Sequence, residues 1–572
     1  MNVAQEAQGS AAEIRSAGDI MSPERLGASR ITSLSFSRSM LRKLMKEKWS
    51  IERVQFDLDE NGYGEARYTI TTPKQTFYFV VFSQYLHDLE RSDRVISEKW
   101  DITFALCEGP LTPEKMARLH SDLPKQEAGR GDSLDLVWSR ANRSTRLFEY
   151  MIGELTQGKQ PDPKILAQTG YLIRTTAVYG NGKFGIAPYE RMSKDHAFYG
   201  AFRAQMFAVY MIRQFSFELV DHIAQAKNPN AAQLHAKIKR YLGVGNATGL
   251  GMVPYLISHP QLIHTWIKMK EEALYKAKQA EGTRADAEKL LSLFDRSIAY
   301  FHEYPIAHVQ AFAQPSELAG ELQLLQTVVT EFAETGTMQQ QVPAQPWVTL
   351  CEIARAKTGM ETQELLNTLI IELYPEIVKE FEENTSIVER YDVKPQMSIG
   401  ELKQLAAEQY RWALSIDFAD PDERKYFWYR SAEKEEPRMG VRGEEAGEEH
   451  EMPVNIAERV QALYQVLEKA ADDQTVAEFM LSYPEHKWII RRMQSLQGFE
   501  YGEIHGNLLA KGLLPVHLLR CKLAFFGAER FDPQSNRWVR VTLFQGAPLL
   551  EEIGTDFKDD WIFPAIPRWE DI

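Results

Sequence analysis

Cysteine is scarce in this chain: Cys107, Cys351 and Cys521 are the only three in 572 residues, they lie far apart, and none belongs to a CxxC pair. That argues against a disulfide framework and a cysteine zinc site, and it fits a reducing compartment. Surplus positive charge is absent too, since 66 Lys and Arg against 80 Asp and Glu give a formal net charge of −14. A nonspecific nucleic-acid binder needs a basic face to neutralise phosphates, so that class is disfavoured. No apolar run reaches the ~18 residues of a membrane span, and residues 1–30, rich in Ala, Ser, Gly and Glu, contain no apolar signal core. The expectation is a cytoplasmic protein with neither a membrane nor a nucleic acid as partner.

Familiar catalytic signatures are missing as well. There is no GxSxG elbow, no GxxxxGK[ST] phosphate loop and no HxE…CxxC deaminase pattern. His259 and His264 are five apart and His302 and His308 six apart, neither being the i, i+4 spacing of a helical HExxH site. Glu218 and His222 have that spacing but make only half a site, so no metal is expected. No cofactor is legible.

What is present reads as an ordinary globular composition, 44% hydrophobic and 26% charged, in a chain long enough for two or three cores. Residues 1–30 are expected to be a flexible leader. Ser35–Trp49 has the spacing of an amphipathic helix. Ile51–Leu58, Ala66–Thr72 and Thr76–Phe82 are short β-branched and aromatic runs joined by turn chemistry, and Trp100–Cys107 adds a fourth. They predict an antiparallel α+β sheet domain over 31–125. From Leu134 the pattern turns helical, with helices expected at 134–157, 196–227 and 230–242 among others, and no βαβ alternation. This gives a helical body over 126–432 that holds the candidate pocket. Residues 433–452 form an acidic linker or arm, and 453–572 a C-terminal helical domain with a short β segment and an aromatic tail. The expected fold class is α+β, mainly α: a small antiparallel sheet domain followed by a large helical body.

Two glycine-bearing polar segments carry the functional reading. Arg174-Thr-Thr-Ala-Val-Tyr-Gly-Asn-Gly-Lys-Phe-Gly185 supplies Arg174, Thr175, Thr176, Tyr179, Asn181 and Lys183, a set of donors without a carboxylate that suits an anion. Gly243-Val-Gly-Asn-Ala-Thr-Gly-Leu-Gly-Met252 adds Gly243, Gly245, Asn246, Thr248 and Gly249. It is read either as a helix C-cap and tight connection or as a loop offering backbone amides to a ligand. Between them the helix Asp195–Lys227 is apolar nearly all round, which puts it in the centre of a bundle, so its polar residues Arg203, Gln214, Glu218 and Asp221, with Arg213 and His222, need partners. Arg140, Arg143 and Arg146, three apart, form a basic stripe if 134–157 is helical.

The reading is an enzyme acting on a small anionic or polar metabolite without a protein-bound metal. Arg174, Asn181, Lys183 and Arg203 would bind, Tyr179, His222 and Glu218 would move protons, and the glycines would offer amides. The rival is a non-catalytic scaffold. The aromatic run Tyr426–Arg430 leading into the arm fits covering a cleft or a second subunit, which admits a homo-oligomer.

Overall fold

The computed structural model describes residues 14–87, 90, 99–125, 132–180, 192–249, 260–304, 312–336, 345–381, 393–420, 427–430, 437–440, 452–453, 456–496, 499–505, 515–533, 538–553 and 559–572. The strands are β1 (Ser50–Leu58), β2 (Gly64–Thr71), β3 (Thr76–Ser83), β4 (Ile102–Glu108), β5 (Asp135–Arg143), β6 (Tyr171–Gly180), β7 (Gly243–Gly249), β8 (Phe427–Arg430), β9 (Pro437–Gly440), β10 (Met452–Pro453), β11 (Ala528–Pro533) and β12 (Trp538–Leu543). Nine of them make one mixed sheet in the order β1-β2-β3-β4-β5-β6-β7-β12-β11. Among the described residues β6–β7 is its one parallel pair. The remaining three form a small antiparallel sheet, β10-β8-β9, which takes in part of the expected acidic arm.

The small antiparallel sheet expected within 31–125 is therefore wrong. The hairpins β1–β2 and β2–β3 are where the turn residues put them, but the sheet runs on through β5, β6 and β7 and ends on two strands from the C-terminal region. The segment 134–157, expected as one helix, is β5 followed by a helix over Phe148–Thr156. The physical reason is burial on both faces. Every residue of β5 except Arg140 is buried, so the alternation that marks a half-exposed strand is absent. β7 was hidden by its glycines, which are poor strand formers unless packing demands them.

The helix Arg203–Lys227 is long and mostly buried, as its apolar surface requires, but it does not centre a bundle. It lies on one face of the sheet against β4, β5, β6 and β7, with the helices Phe36–Lys46 and Phe148–Thr156 beside it. A helix apolar all round is satisfied equally by a sheet below and helices alongside. It is also the connection from β6 to β7, so one β–helix–β unit exists after all.

A second core holds the helices Pro260–Lys278, Arg284–Glu303, Pro315–Thr335, Pro346–Lys357 and Met360–Leu373 together. On the other face of the sheet a small core of Val80, Phe82, Ala105, Cys107 and Trp138 is covered by the helix Pro113–Asp122. Among the described residues no helix is long and apolar enough to cross a membrane.

The expected leader is packed from residue 14 onward. Two short helices, Ala17–Ile20 and Pro23–Gly27, are capped by Ser16 and Ser22 and bury Ile20, Met21 and Leu26. Arg15 reaches both Glu271 at 2.7 Å and Glu364 at 2.5 Å, while Arg25 lies 3.3 Å and Lys270 2.8 Å from Glu364. Burial alone would raise the Glu364 carboxyl, but the Arg15 and Lys270 cations hold it well below the usual carboxylate range. The strap was illegible because its partners lie 256 and 349 residues away.

Glu364→Gln is expected to cost on the order of 3–5 kcal/mol at neutral pH, because it takes the carboxylate from buried Lys270 and leaves Arg15 with Glu271 alone. A carboxyl with a depressed folded pKa stabilises fully above its unfolded value, about 4.3, and less as pH falls through the folded value. Urea melts should therefore show the gap between wild type and variant narrowing on acidification below about pH 4. A gap that stays constant with pH would contradict the assignment.

Candidate functional site

The parallel pairing of β6 and β7 brings the two polar segments side by side, with Tyr171 opposite Gly243, Arg174 opposite Gly245 and Thr175 opposite Asn246. They are neighbouring strands rather than loops. Asn181 and Lys183 lie outside the described residues, while Thr248 and Gly249 sit in β7 opposite Val539 and Trp538 of β12. Asn246 Nδ2 donates to the Thr175 carbonyl at 3.1 Å and to Thr175 Oγ1 at 3.0 Å, and Thr175 Oγ1 lies 3.3 Å from the Gly245 carbonyl. These bonds tie the two strands together. Arg174 is buried in the middle of the sheet.

The glycines have a packing reason. A Cβ on Gly243 would sit 2.3 Å from the Leu543 carbonyl oxygen, and one on Gly245 would sit 2.5 Å from the Tyr171 ring. Neither has the positive φ of a helix C-cap; that role falls to Gly170, with φ 76°, at the end of the helix Pro163–Thr169.

A different cluster stands out around Arg140. β6 carries an extra residue, Thr176, between the partners of Arg140 and Ala141. Such bulges re-aim side chains. Trp100 Nε1 donates to Thr176 Oγ1 at 3.0 Å, and Thr176 Oγ1 donates to the Arg140 carbonyl at 3.1 Å. The Trp100 ring is thereby held over the Arg140 guanidinium, 3.8 Å from its centroid, with the Tyr179 ring at 5.7 Å. Tyr179 in turn stacks on Trp138, 6.5 Å away. Arg140 makes two long bonds, Nη2 to Tyr179 Oη at 3.3 Å and Nη1 to the Pro124 carbonyl at 3.4 Å, and its buried Nε has no acceptor. Among the described residues no carboxylate pairs with it. A planar cation with donors to spare, set between aromatic faces, suits an oxyanion attached to a flat group.

The expected basic stripe does not exist, because a strand sends residues three apart to opposite faces. Arg143 instead clamps the β1–β2 turn, donating to the carbonyls of Asn61 at 3.1 Å and Gly62 at 3.2 Å and to Ser83 Oγ at 3.2 Å.

The acid–base candidates do not converge. Glu218 accepts from Arg53 at 3.0 Å, Tyr68 Oη at 2.9 Å and Gln214 at 2.8 Å, and it lines a polar cleft of about 350 Å³ with Lys239 and Glu551 beside β1. His222 Nε2 lies 2.9 Å from the Asp59 carbonyl at the β1–β2 turn. Four to five strand spacings of ~4.8 Å, roughly 20 Å, separate these residues from Tyr179 on β6. Arg203, at the other end of the helix, donates to the Tyr199 carbonyl at 2.8 Å, and Asp221 pairs with Lys239 at 2.8 Å. Arg203, Glu218 and Asp221 thus have separate partners rather than one internal network. Sequence reasoning missed Trp100, whose only local signal is a tryptophan opening a strand; its partners lie 40 and 76 residues downstream.

Gly245→Ala should destabilise by about 1–3 kcal/mol through overpacking against Tyr171. Tyr171→Leu should recover part of that loss in the double variant, as read from urea midpoints. Additive losses would show that the ring is not what excludes the Cβ. Compared with known proteins, the chain matches no family model, no curated protein and no solved structure, so its chemistry is argued from its own geometry.

Proposed function

We propose that this protein binds a small anionic metabolite at the Arg140 ledge, with the oxyanion on the guanidinium and a flat part of the ligand against Trp100 and Tyr179. The observation that carries the reading is an arginine with two long bonds to neutral oxygens and no carboxylate partner among the described residues, in a chain of net charge −14. A cation in such a setting gains more from an anion than one already paired. Topology supports the same place. In mixed and parallel sheets ligands gather beyond the carboxyl ends of parallel strands, and Tyr179 is next to last in β6, beside the end of β7.

As an enzyme the protein would use the ledge for acid–base chemistry. The Tyr179 hydroxyl, which accepts from Arg140, would be the group that gives a proton to a bound ligand. Glu218 and His222 have no part in that step. The glycine-rich β7 serves this reading by letting β6, β7 and β12 pack closely rather than by offering amides. The three cysteines are unpaired thiols, which supports a cytoplasmic location.

A thermal-shift series with inorganic phosphate, small carboxylates and nucleotides tests the proposal. A ligand at about 100 times its dissociation constant stabilises by roughly 2.7 kcal/mol. Arg140→Met is expected to abolish the shift while leaving the unliganded melting temperature within a few degrees of wild type. An equal shift in the variant would move the anion site elsewhere, and no shift with any of these ligands would favour the scaffold.

A further inference from the structure

A second cluster, independent of the ledge, lies where the N-terminal strap, the helical layer and β11 meet. A cavity of about 70 Å³ is walled there by the rings of Tyr300, Tyr304, Phe312, Phe531 and Phe563. By the measure in which one water needs ~10–15 Å³, it has room for roughly five waters, the bulk of a small aromatic acid.

Two guanidinium groups on its wall share one carboxylate oxygen. Arg30 Nη2 is 2.6 Å and Arg520 Nη1 3.0 Å from Glu361 Oε2, and Glu361 Oε1 is taken by the backbone amide of Ala313 at 2.9 Å. Two cations on one anion leave a positive charge over. Arg520 is 6% exposed and lies 5.0 Å from the Phe312 ring and 5.2 Å from the Phe531 ring. Aromatic faces attract such a cation but do not neutralise it. The buried Nε of Arg30 has no acceptor.

The further carboxylates do not close the account. Glu317 and Glu321, whose charges also reach Glu361, accept from the backbone amides of Gln314 and Gly359 and are not among the residues that wall the cavity. Glu529, the other acid lining the cavity, has no ion pair among the described residues, and burial pushes its carboxyl well above the usual range, which favours the uncharged form.

We propose that this cavity binds a small aromatic carboxylic acid, its carboxylate on Arg520 and Arg30 and its ring among Phe312, Phe531 and Tyr304. The chemistry selects both halves of the ligand. Inorganic phosphate would leave the aromatic walls unused, and a neutral ring would leave the surplus charge unanswered.

The test is calorimetric titration of the full chain with benzoate, against benzamide, which keeps the shape without the charge, and acetate, which keeps the charge without the ring. Benzoate is expected to saturate, with the other two weaker by about tenfold or more. Arg520→Met should weaken benzoate by about tenfold or more, and Glu361→Gln, which frees both guanidinium groups, should strengthen it by a similar factor. In Arg140→Met, whose ledge cannot hold a carboxylate, a saturable benzoate site sensitive to Arg520→Met should remain, which separates this cavity from the ledge. Benzamide binding as well as benzoate, no saturation with benzoate, or a benzoate affinity that Arg520→Met leaves intact would each overturn the proposal. If either cavity variant fails to fold, the three-ligand comparison is made in Arg140→Met, where the ledge has lost its guanidinium: the same order of affinities there supports the cavity, and loss of benzoate binding there overturns it.

Discussion

The arrangement of the sheet depends on one buried side chain, Arg213. From the middle of the helix Arg203–Lys227 it donates to five backbone carbonyls: Leu242 at 2.6 Å, and Lys239, Arg240, Ala547 and Pro548 each at 3.0 Å. Three of these lie just before β7 and two lie after β12. No carboxylate forms an ion pair with it among the described residues, and burial pushes its guanidinium down to about 10, yet it stays charged at neutral pH. Five bonds to backbone carbonyls compensate the desolvation. The result ties the chain just before β7 and just after β12 to the middle of that helix.

That constraint sorts the arginines of an acidic protein by how fully they are satisfied. Arg213 has five carbonyls, and Arg143 has three neutral oxygens at 3.1 to 3.2 Å together with the rings of Tyr63 and Phe148. Arg15, Arg25 and Arg38 pair with carboxylates. Arg140 has two bonds, at 3.3 and 3.4 Å, and aromatic faces. A guanidinium has five donors, and Arg140 spends two of its groups on neutral oxygens at long range while its Nε has no acceptor. The same accounting picks out Arg30 and Arg520 over their shared Glu361.

The sequence made part of this legible. The β1–β3 hairpins announced themselves through Asp59-Glu-Asn-Gly and Pro73, because turn chemistry is local. The helix around Phe207 was legible from its apolar surface. The segments bearing Arg174–Gly180 and Gly243–Gly249 drew notice for their polar groups and glycines, and they proved to be hydrogen-bonded neighbours. The reason for the glycines was hidden, because it is the Tyr171 ring and the Leu543 carbonyl, which no local pattern names. β5 was hidden by burial on both faces, and the strap by pairing at long range. Tyr179 sits in the ledge, whereas Glu218 and His222 merely shared a helical spacing; spacing puts residues on one face of an element but does not say which strand that face meets.

The most direct test of the ledge is to soak crystals with tungstate, a tetrahedral oxyanion with strong anomalous scattering. The account predicts an anomalous peak within hydrogen-bonding distance of the Arg140 guanidinium, between the Trp100 and Tyr179 rings. Tungstate bound elsewhere, with the Arg140 position empty, would contradict it.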